Sequence, residues 1–300
     1  MRRFRTIRNV HERTVEAPAE AVGALLDRVS SPNDPLWPAP AWPPMRFDRP
    51  LGVGADGGHG FVRYRVRAYE PGRRARFAFT PPLSGHHEFV VEPLGQGRCR
   101  IRHTLELERR GSTLWTWILA VRWMHDTVVE ELFDNVERAA TGTVTSPVRW
   151  SLWVRLLHRV TWQRAAARAF PADARLARAA FERTDYSDAW QMALRPGMPR
   201  DPEAWRSVLR GAPFRVVGRE GGEVLLGQDA GHLDVRASIL VDDRRVTLST
   251  VVRLHNWRGR LYWAAVRRVH PFMARTMLRR IHRRLALTAP PAAERARQPV

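Results

Sequence analysis

The sequence predicts an α+β protein of two helix-grip-like domains, each an antiparallel curved sheet packed on a long C-terminal helix. Three observations carry the expectation. Short alternating strands from about Gly60 to Leu107 lead into a one-sided helix, Thr113 to Ala140. A second such run, about Phe214 to Val269, leads into a helix from Pro271 to Leu287. Finally, 300 residues with 44% hydrophobic content suit two ordinary cores better than one. The expected division is a first domain over 1–141, a basic amphipathic helical connector over 142–184, a second domain over 185–288 and a disordered tail over 289–300.

In the first domain, Thr6 to Glu16 reads as a strand stopped by Ala17-Pro18. Ala19 to Val29 follows as a short helix, with Val22, Leu25, Leu26 and Val29 at helical spacing. Ser30 to Pro50, rich in proline and tryptophan, is irregular. In Phe61 to Tyr69, Val62, Tyr64, Val66 and Ala68 share one face and Arg63, Arg65 and Arg67 the other. In Arg98 to Glu108 the inward set is Cys99, Ile101, His103, Leu105 and Leu107. The closing helix puts Leu114, Trp117, Ile118, Val121, His125, Val128, Leu132 and Val136 on one stripe.

The connector has a helix start at Ser146-Pro147, with Trp150, Trp153, Val154, Leu157 and Val160 recurring every three or four residues. In the second domain Asp201 caps a short helix opened by Pro202 and running through Leu209. Strands are expected at Phe214–Arg219, Glu223–Gln228, His232–Val241, Arg245–His255 and Arg260–Arg268. An odd residue sum across the hairpin at Asp242-Asp243-Arg244 puts the apolar sets of its two strands on one face. The last helix is expected to bury Phe272, Met273, Met277, Ile281 and Leu285.

Composition excludes several chemistries. The single cysteine, Cys99, leaves no disulfide and no multi-cysteine metal site, which fits a reducing cytoplasm. All 50 basic residues are arginine, so a Schiff-base lysine and a P-loop lysine are both excluded. Met1 to Val10 has no unbroken hydrophobic stretch of the kind a secretory signal needs. The net charge of +20 suits nucleic acid or anionic lipid, but no nucleic-acid-binding motif accompanies it. An arginine-favouring coding bias is the plainer and favoured account. Gly52-Val53-Gly54-Ala55-Asp56-Gly57 matches the dinucleotide fingerprint but reads as a turn, because no strand precedes it and no helix follows.

The Ala17-Pro18-Ala19-Glu20 strand end, Leu36-Trp37-Pro38, Trp42-Pro43, Gly57-Gly58-His59-Gly60, Tyr64, Gly85-His86-His87-Glu88-Phe89 and His125-Asp126 together resemble the START-like, polyketide-cyclase superfamily over about residues 8–141. That resemblance implies a helix-grip fold with a hydrophobic cavity between sheet and helix, as in lipid carriers, hormone receptors and aromatic cyclases. The second domain is similar to the family called domain of unknown function 2867. The matching stretches are Asp185-Tyr186-Ser187-Asp188-Ala189, Leu226-Gly227-Gln228-Asp229, His232-Leu233-Asp234-Val235-Arg236, Val252, His255-Asn256, Gly259-Arg260, Tyr262 and His270-Pro271. The stretch between Asp201 and Phe214 is shorter than that resemblance implies.

Two imidazoles, His103 on the strand and His125 on the helix, face the expected cavity and are the candidates for orienting a ligand or moving a proton. A hydrogen-bonded core pair is the plainer alternative. A zinc site from His86, His87 and His103 lacks ligand spacing, and neither metal nor cofactor is expected. The expected lining is Tyr64, Phe77, Phe79, Phe89, His103, Trp117, Val121 and His125. In the second domain His232, Asp234, Arg253 and His255 should form a polar patch, either anion-binding or an ordinary solvent face. The sequence thus favours a cytoplasmic, cofactor-free carrier of a hydrophobic small molecule, lipid or polyketide-like. A cyclase or dehydratase using the same cavity is the alternative. A basic adaptor touching anionic membranes through Arg149, Trp150, Trp153 and Arg155 is a third class.

Overall fold

The computed structural model describes residues 6–108, 111, 113–208 and 214–296. The chain is α+β and divides into two compact units, one formed up to Thr161 together with the segment from Pro290, the other over Trp162–Ala289. The division falls inside the stretch expected as a connector.

The first unit begins with β1 (Thr6–Val15) and α1 (Ala19–Leu26), then β2 (Met45–Phe47), β3 (Asp56–His59), β4 (Val62–Glu70), β5 (Arg74–Phe79), β6 (Gly85–Gly95) and β7 (Arg98–Glu108). They form one antiparallel seven-stranded sheet in the order β1-β7-β6-β5-β4-β3-β2. The glycine-rich segment that mimics a dinucleotide loop is a turn running into β3, as its context predicts. Gly57 lets β2 approach, since a Cβ there would lie 2.0 Å from the Arg46 carbonyl oxygen.

The closing helix is not one regular element. It consists of α2 (Thr113–Thr116), a π-helical turn (Trp117–Val121) and α3 (Arg122–Thr141). A π turn carries more residues per turn than 3.6, so the apolar stripe expected to run straight through it slips. Trp117 stays buried, whereas Ile118 is 45% and Val121 40% exposed. Val121 is therefore not a lining residue. Farther on, α3 restores the stripe with Val128, Leu132 and Val136 buried against the sheet. After it, α4 (Leu152–Thr161) starts later than Ser146-Pro147 and buries Val154 and His158.

The inward face of β1 is polar, and it meets an acidic row on α3. Asn9 Nδ2 donates to Asp126 Oδ1 at 3.0 Å. His11 reaches Asp126 Oδ1 through Nε2 at 3.1 Å and Glu130 Oε1 through Nδ1 at 2.7 Å. Arg13 donates to Asp134 at 2.6 Å, to Glu130 at 2.8 Å and to Glu137 at 3.4 Å. Alternate strand residues are about 6.7 Å apart and residues four apart on a helix about 6 Å, so the two polar rows keep step over this distance.

In the second unit the elements are β8 (Ala166–Ala167), α5 (Arg175–Arg178), β9 (Tyr186–Ala193), α6 (Pro202–Ser207), β10 (Arg215–Glu220), β11 (Glu223–Asp229), β12 (Leu233–Val241), β13 (Arg245–Leu254) and α7 (Trp257–Thr288). The sheet order is β10-β11-β12-β13-β9-β8, all pairs antiparallel. Pairing of Leu233 with Leu254 and Val241 with Val246 gives the expected odd register. Asp201 caps α6 through the Glu203 N–H, with Pro202 in the first turn, while Leu209, the expected end of that helix, lies outside the described residues.

The strand expected at Arg260–Arg268 is instead the first part of α7. Asn256 accepts from the Arg258 and Gly259 N–H groups and starts a helix that continues through Pro271. Gly259 seats that start against β12, where a Cβ would lie 2.0 Å from the His232 carbonyl oxygen. With the helix phase set at Asn256, Ala274, Leu278, Ile281 and His282 are buried. Phe272 and Met273, expected inside, are 61% and 60% exposed. The expected disordered tail contains α8 (Ala292–Arg295), whose Ala292 and Ala293 are buried and whose Arg295 Nη2 donates to the Ala39 carbonyl at 2.8 Å. Residues 297–300 lie outside the described residues.

Arg13 is the hub of the strand–helix ladder, and its removal strands three carboxylates that are mostly enclosed. Arg13→Met is expected to destabilise the first unit by about 3 kcal/mol, read as a lowered midpoint in urea unfolding. Arg63→Met, an exposed substitution on the outer face, should change it little.

Candidate functional site

Seven of the eight expected lining residues converge between the first sheet and its helix. Tyr64, Phe77, Phe89, His103 and Trp117 are buried, and Phe79 and His125 are half-buried. Their rings pack on one another, with His87, on the inward face of β6, at the centre. Its imidazole lies 4.5 Å from the Tyr64 ring, 5.0 Å from Phe77 and 5.5 Å from Phe79, centroid to centroid. Phe89 and His103 are 4.6 Å apart, His103 and His125 5.1 Å, and Trp117 and His125 5.6 Å. These ring contacts take up part of the space in which the cavity is expected. Clefts of about 730 and 630 Å³ lie elsewhere, the first around Gln163, Gln191 and Arg244, the second on the outer sheet face around Arg8, His86 and Arg102.

His87 is a residue that sequence reasoning places only in a zinc alternative. Its signal is nonetheless present: His87, Phe89 and Val91 alternate on the inward face of β6. His86 points the other way, to Arg76 at 3.0 Å, so the His86–His87–His103 metal set does not assemble. Instead His87 Nδ1 and His103 Nε2 are hydrogen-bonded at 3.2 Å. The outer nitrogens of this pair, His87 Nε2 and His103 Nδ1, are buried and have no hydrogen-bond partner among the described residues. Burial holds both imidazoles neutral by pushing their pKa values well below the usual 6.5, and the charge of neighbouring His125 acts in the same direction. In a neutral pair one ring donates to the other. Whichever does so, one outer nitrogen is left as a free donor and the other as a free acceptor.

Nearer the clasp the electrostatics reverse. Burial alone would lower the His11 pKa, but hydrogen bonds to Asp126 and Glu130 outweigh it and raise the pKa to about 9. Burial would raise the Asp126 pKa, yet the hydrogen bond from His11 and the His125 imidazole 3.6 Å away hold it far below the usual carboxylate range. One ligand atom each from His11, His125 and Asp126 lies within 4.8 Å of the others, the spacing of a potential metal-binding group.

In the second unit the expected polar patch forms in part. Asp234 is buried and meets Arg253 at 2.8 Å and His255 at 3.0 Å. The His232 ring turns to Tyr262, edge-on at 5.4 Å, while its carbonyl accepts from the His255 N–H at 3.1 Å. The Phe181 ring lies 5.0 Å from the Arg236 guanidinium and 5.1 Å from that of Arg253, while the Arg253 side chain stays 41% exposed. A different cluster draws on the stretches that carry the family resemblance. Asp188 Oδ2 accepts from Tyr186 at 3.0 Å and Trp190 at 3.1 Å and lies 3.4 Å from His270 Nε2. Sequence reasoning does not find it, because β9 and α7 bring the groups together across more than 80 residues.

Of the residues expected to touch a membrane, Arg149 and Arg155 are exposed and Trp153 is 44% exposed. Trp150 turns inward, where Nε1 donates to Glu131 at 2.8 Å. No helix among the described residues is long and apolar enough to cross a membrane.

Glu131 also accepts from Trp42, and burial raises its pKa to about 7 against the lowering effect of the two indole donors. Between its unfolded value, about 4.3, and about 7, the folded state binds a proton that the unfolded state releases. This contribution to stability is therefore complete below the unfolded value and is lost as pH rises through about 7. Glu131→Gln should remove that part of the slope in urea unfolding series from pH 4 to pH 8, with up to ~3 kcal/mol at stake.

The family model described as a protein of unknown function (DUF2867) matches residues 120–277. The match starts in the π-helical turn, well before Asp185. No curated protein matches the sequence. Among solved structures, the chain is similar to norcoclaurine synthase from Thalictrum flavum at 13% identity, covering 46% of this chain and 95% of that one, with a TM-score of 0.37. It is similar to a protein from Nitrosospira multiformis at 15% identity, covering 45% and 97%, with a TM-score of 0.36. A di-domain ARO/CYC protein, BexL, gives 13% identity over 95% of this chain and 100% of that one, with a TM-score of 0.34. With just over half of its length matched by the family model, the chain belongs to the DUF2867 family.

Proposed function

We propose that the first unit binds a flat, largely apolar small molecule of the aromatic polyketide kind, through one hydroxyl or carbonyl directed at the His87–His103 pair. The observation that carries this reading is the pair of buried, partnerless ring nitrogens, His87 Nε2 and His103 Nδ1, in an otherwise aromatic interior. Each unmet buried polar group costs about 1–3 kcal/mol, and a ligand hydroxyl both donates and accepts. Access requires the Trp117–Val121 turn to move. Trp117 is its one buried side chain, so the turn has a single deep anchor.

Magnitudes assign the roles. Burying about 200 Å² of ligand rings at about 25 cal/mol per Å² contributes about 5 kcal/mol, more than either hydrogen bond. The aromatic residues Tyr64, Phe77, Phe79 and Phe89 supply affinity, and the imidazoles supply orientation. A second reading is favoured by the tautomeric pair itself: a proton taken up at one outer nitrogen releases one from the other, as a cyclase or dehydratase needs for enolisation.

The test uses 2-naphthol and naphthalene as probes, followed by fluorescence titration. Naphthol should bind saturably and more tightly than naphthalene, and His103→Gln should weaken naphthol about tenfold while leaving naphthalene unchanged. Equal binding of both probes, or none, overturns the binding proposal. Deuterium uptake by 2-tetralone in D₂O, lost in His103→Gln, selects the enzymatic reading, and its absence leaves the carrier.

A further inference from the structure

We propose that His11, His125 and Asp126 form a divalent-metal site of the zinc type, where β1 meets the start of α3, with one coordination position left open. The site goes beyond the ligand-binding reading and does not rest on it.

Four features point to it. First, the donor set is two imidazoles and a carboxylate, which suits zinc and its first-row neighbours. Second, the spacings of the two imidazoles to Asp126 fit, and all three ligand atoms lie within 4.8 Å of one another. Metal–ligand bonds of about 2.0–2.1 Å in a tetrahedron put ligand atoms roughly 3.3 Å apart. Here His11 Nε2 and Asp126 Oδ1 are 3.1 Å apart, and His125 Nδ1 and Asp126 Oδ1 are 3.6 Å apart.

Third, His125 Nδ1 is buried and lacks a hydrogen-bond partner among the described residues, and it lies toward the other two groups. Fourth, the supporting contacts are those a metal ligand uses. His11 Nδ1 donates to Glu130 Oε1 at 2.7 Å, which fixes the ring and leaves Nε2 for the ion. Glu130 is held in turn by Arg13 at 2.8 Å, and Asn9 holds Asp126 at 3.0 Å. Arg122 lies 3.5 Å from the other Asp126 oxygen, and its side chain is 60% exposed.

Three ligands leave a fourth position for water or a ligand oxygen, the pattern of a site that does more than brace the fold. The alternative occupant is a proton. A doubly protonated His11 would bridge the same two carboxylates with no metal present, and the experiment separates the two.

The metal-free chain is titrated with Zn²⁺ by equilibrium dialysis and with Co²⁺ by visible absorption. The expected result is one equivalent of tightly held zinc and a cobalt spectrum of tetrahedral type. His125→Gln and Asp126→Asn should abolish both, and Glu130→Gln should weaken zinc about 10–100-fold. His86→Gln, on the outer face, should change neither. Should a ligand variant fail to fold, the wild-type cobalt spectrum decides alone. A six-coordinate or aquo-type spectrum, no stoichiometric zinc, or zinc retained unchanged in His125→Gln overturns the site.

Discussion

The polar clasp between β1 and α3 is the constraint on which the first unit depends. An apolar strand could slide along an apolar helix at little cost, because one register packs nearly as well as the next. Asn9, His11 and Arg13 cannot slide against Asp126, Glu130, Asp134 and Glu137, since a shift strands enclosed charges. The clasp therefore fixes both the height and the rotation of α3. That rotation sets Val128, Leu132 and Val136 on the sheet and His125 over His103.

Beyond the clasp, the interior changes from charged to neutral within two side chains. His11 sits among carboxylates that favour its protonated form, whereas His103 and His87 sit among aromatic rings that exclude charge. His125, its ring beside those of both His11 and His103, lies on that boundary. A line of imidazoles with such different surroundings is costly to keep in a core where leucine would pack as well. The second unit handles its polar groups differently: Asp234 is closed off by Arg253 and His255, with the Phe181 ring beside the Arg253 guanidinium.

The parts legible in the sequence are those where one periodicity runs unbroken. Strand β7 alternates without interruption, so its inward set, His103 included, follows from counting. Hairpin β12–β13 fixes its register because only an odd sum keeps Val246 and Leu248 on the side of Ile239 and Val241. Where two patterns overlap, counting fails. The acidic row of α3 lies beside its apolar stripe and has meaning only opposite β1. The π turn inserts an offset that no 3.6-residue count contains, so Val121, inward by counting, faces out. At Arg260–Arg268 a short alternation suggests a strand, but the cap at Asn256 sets helix phase first. The inward side of His87 follows from the alternation of β6, and its place beside His103 from the pairing of β6 with β7, which brings Phe89 opposite His103.

The ligand recognition proposed for the first unit requires His87 and His103 to be neutral, hydrogen-bonded to each other and unmet at their outer nitrogens. Long-range ¹H–¹⁵N NMR of the imidazoles measures this directly. At about pH 5.5, a unit below the usual imidazole value, both rings should show one protonated and one bare nitrogen, and adding 2-naphthol should shift the outer pair. Two fully protonated rings at that pH, or outer nitrogens indifferent to the phenol, would contradict it.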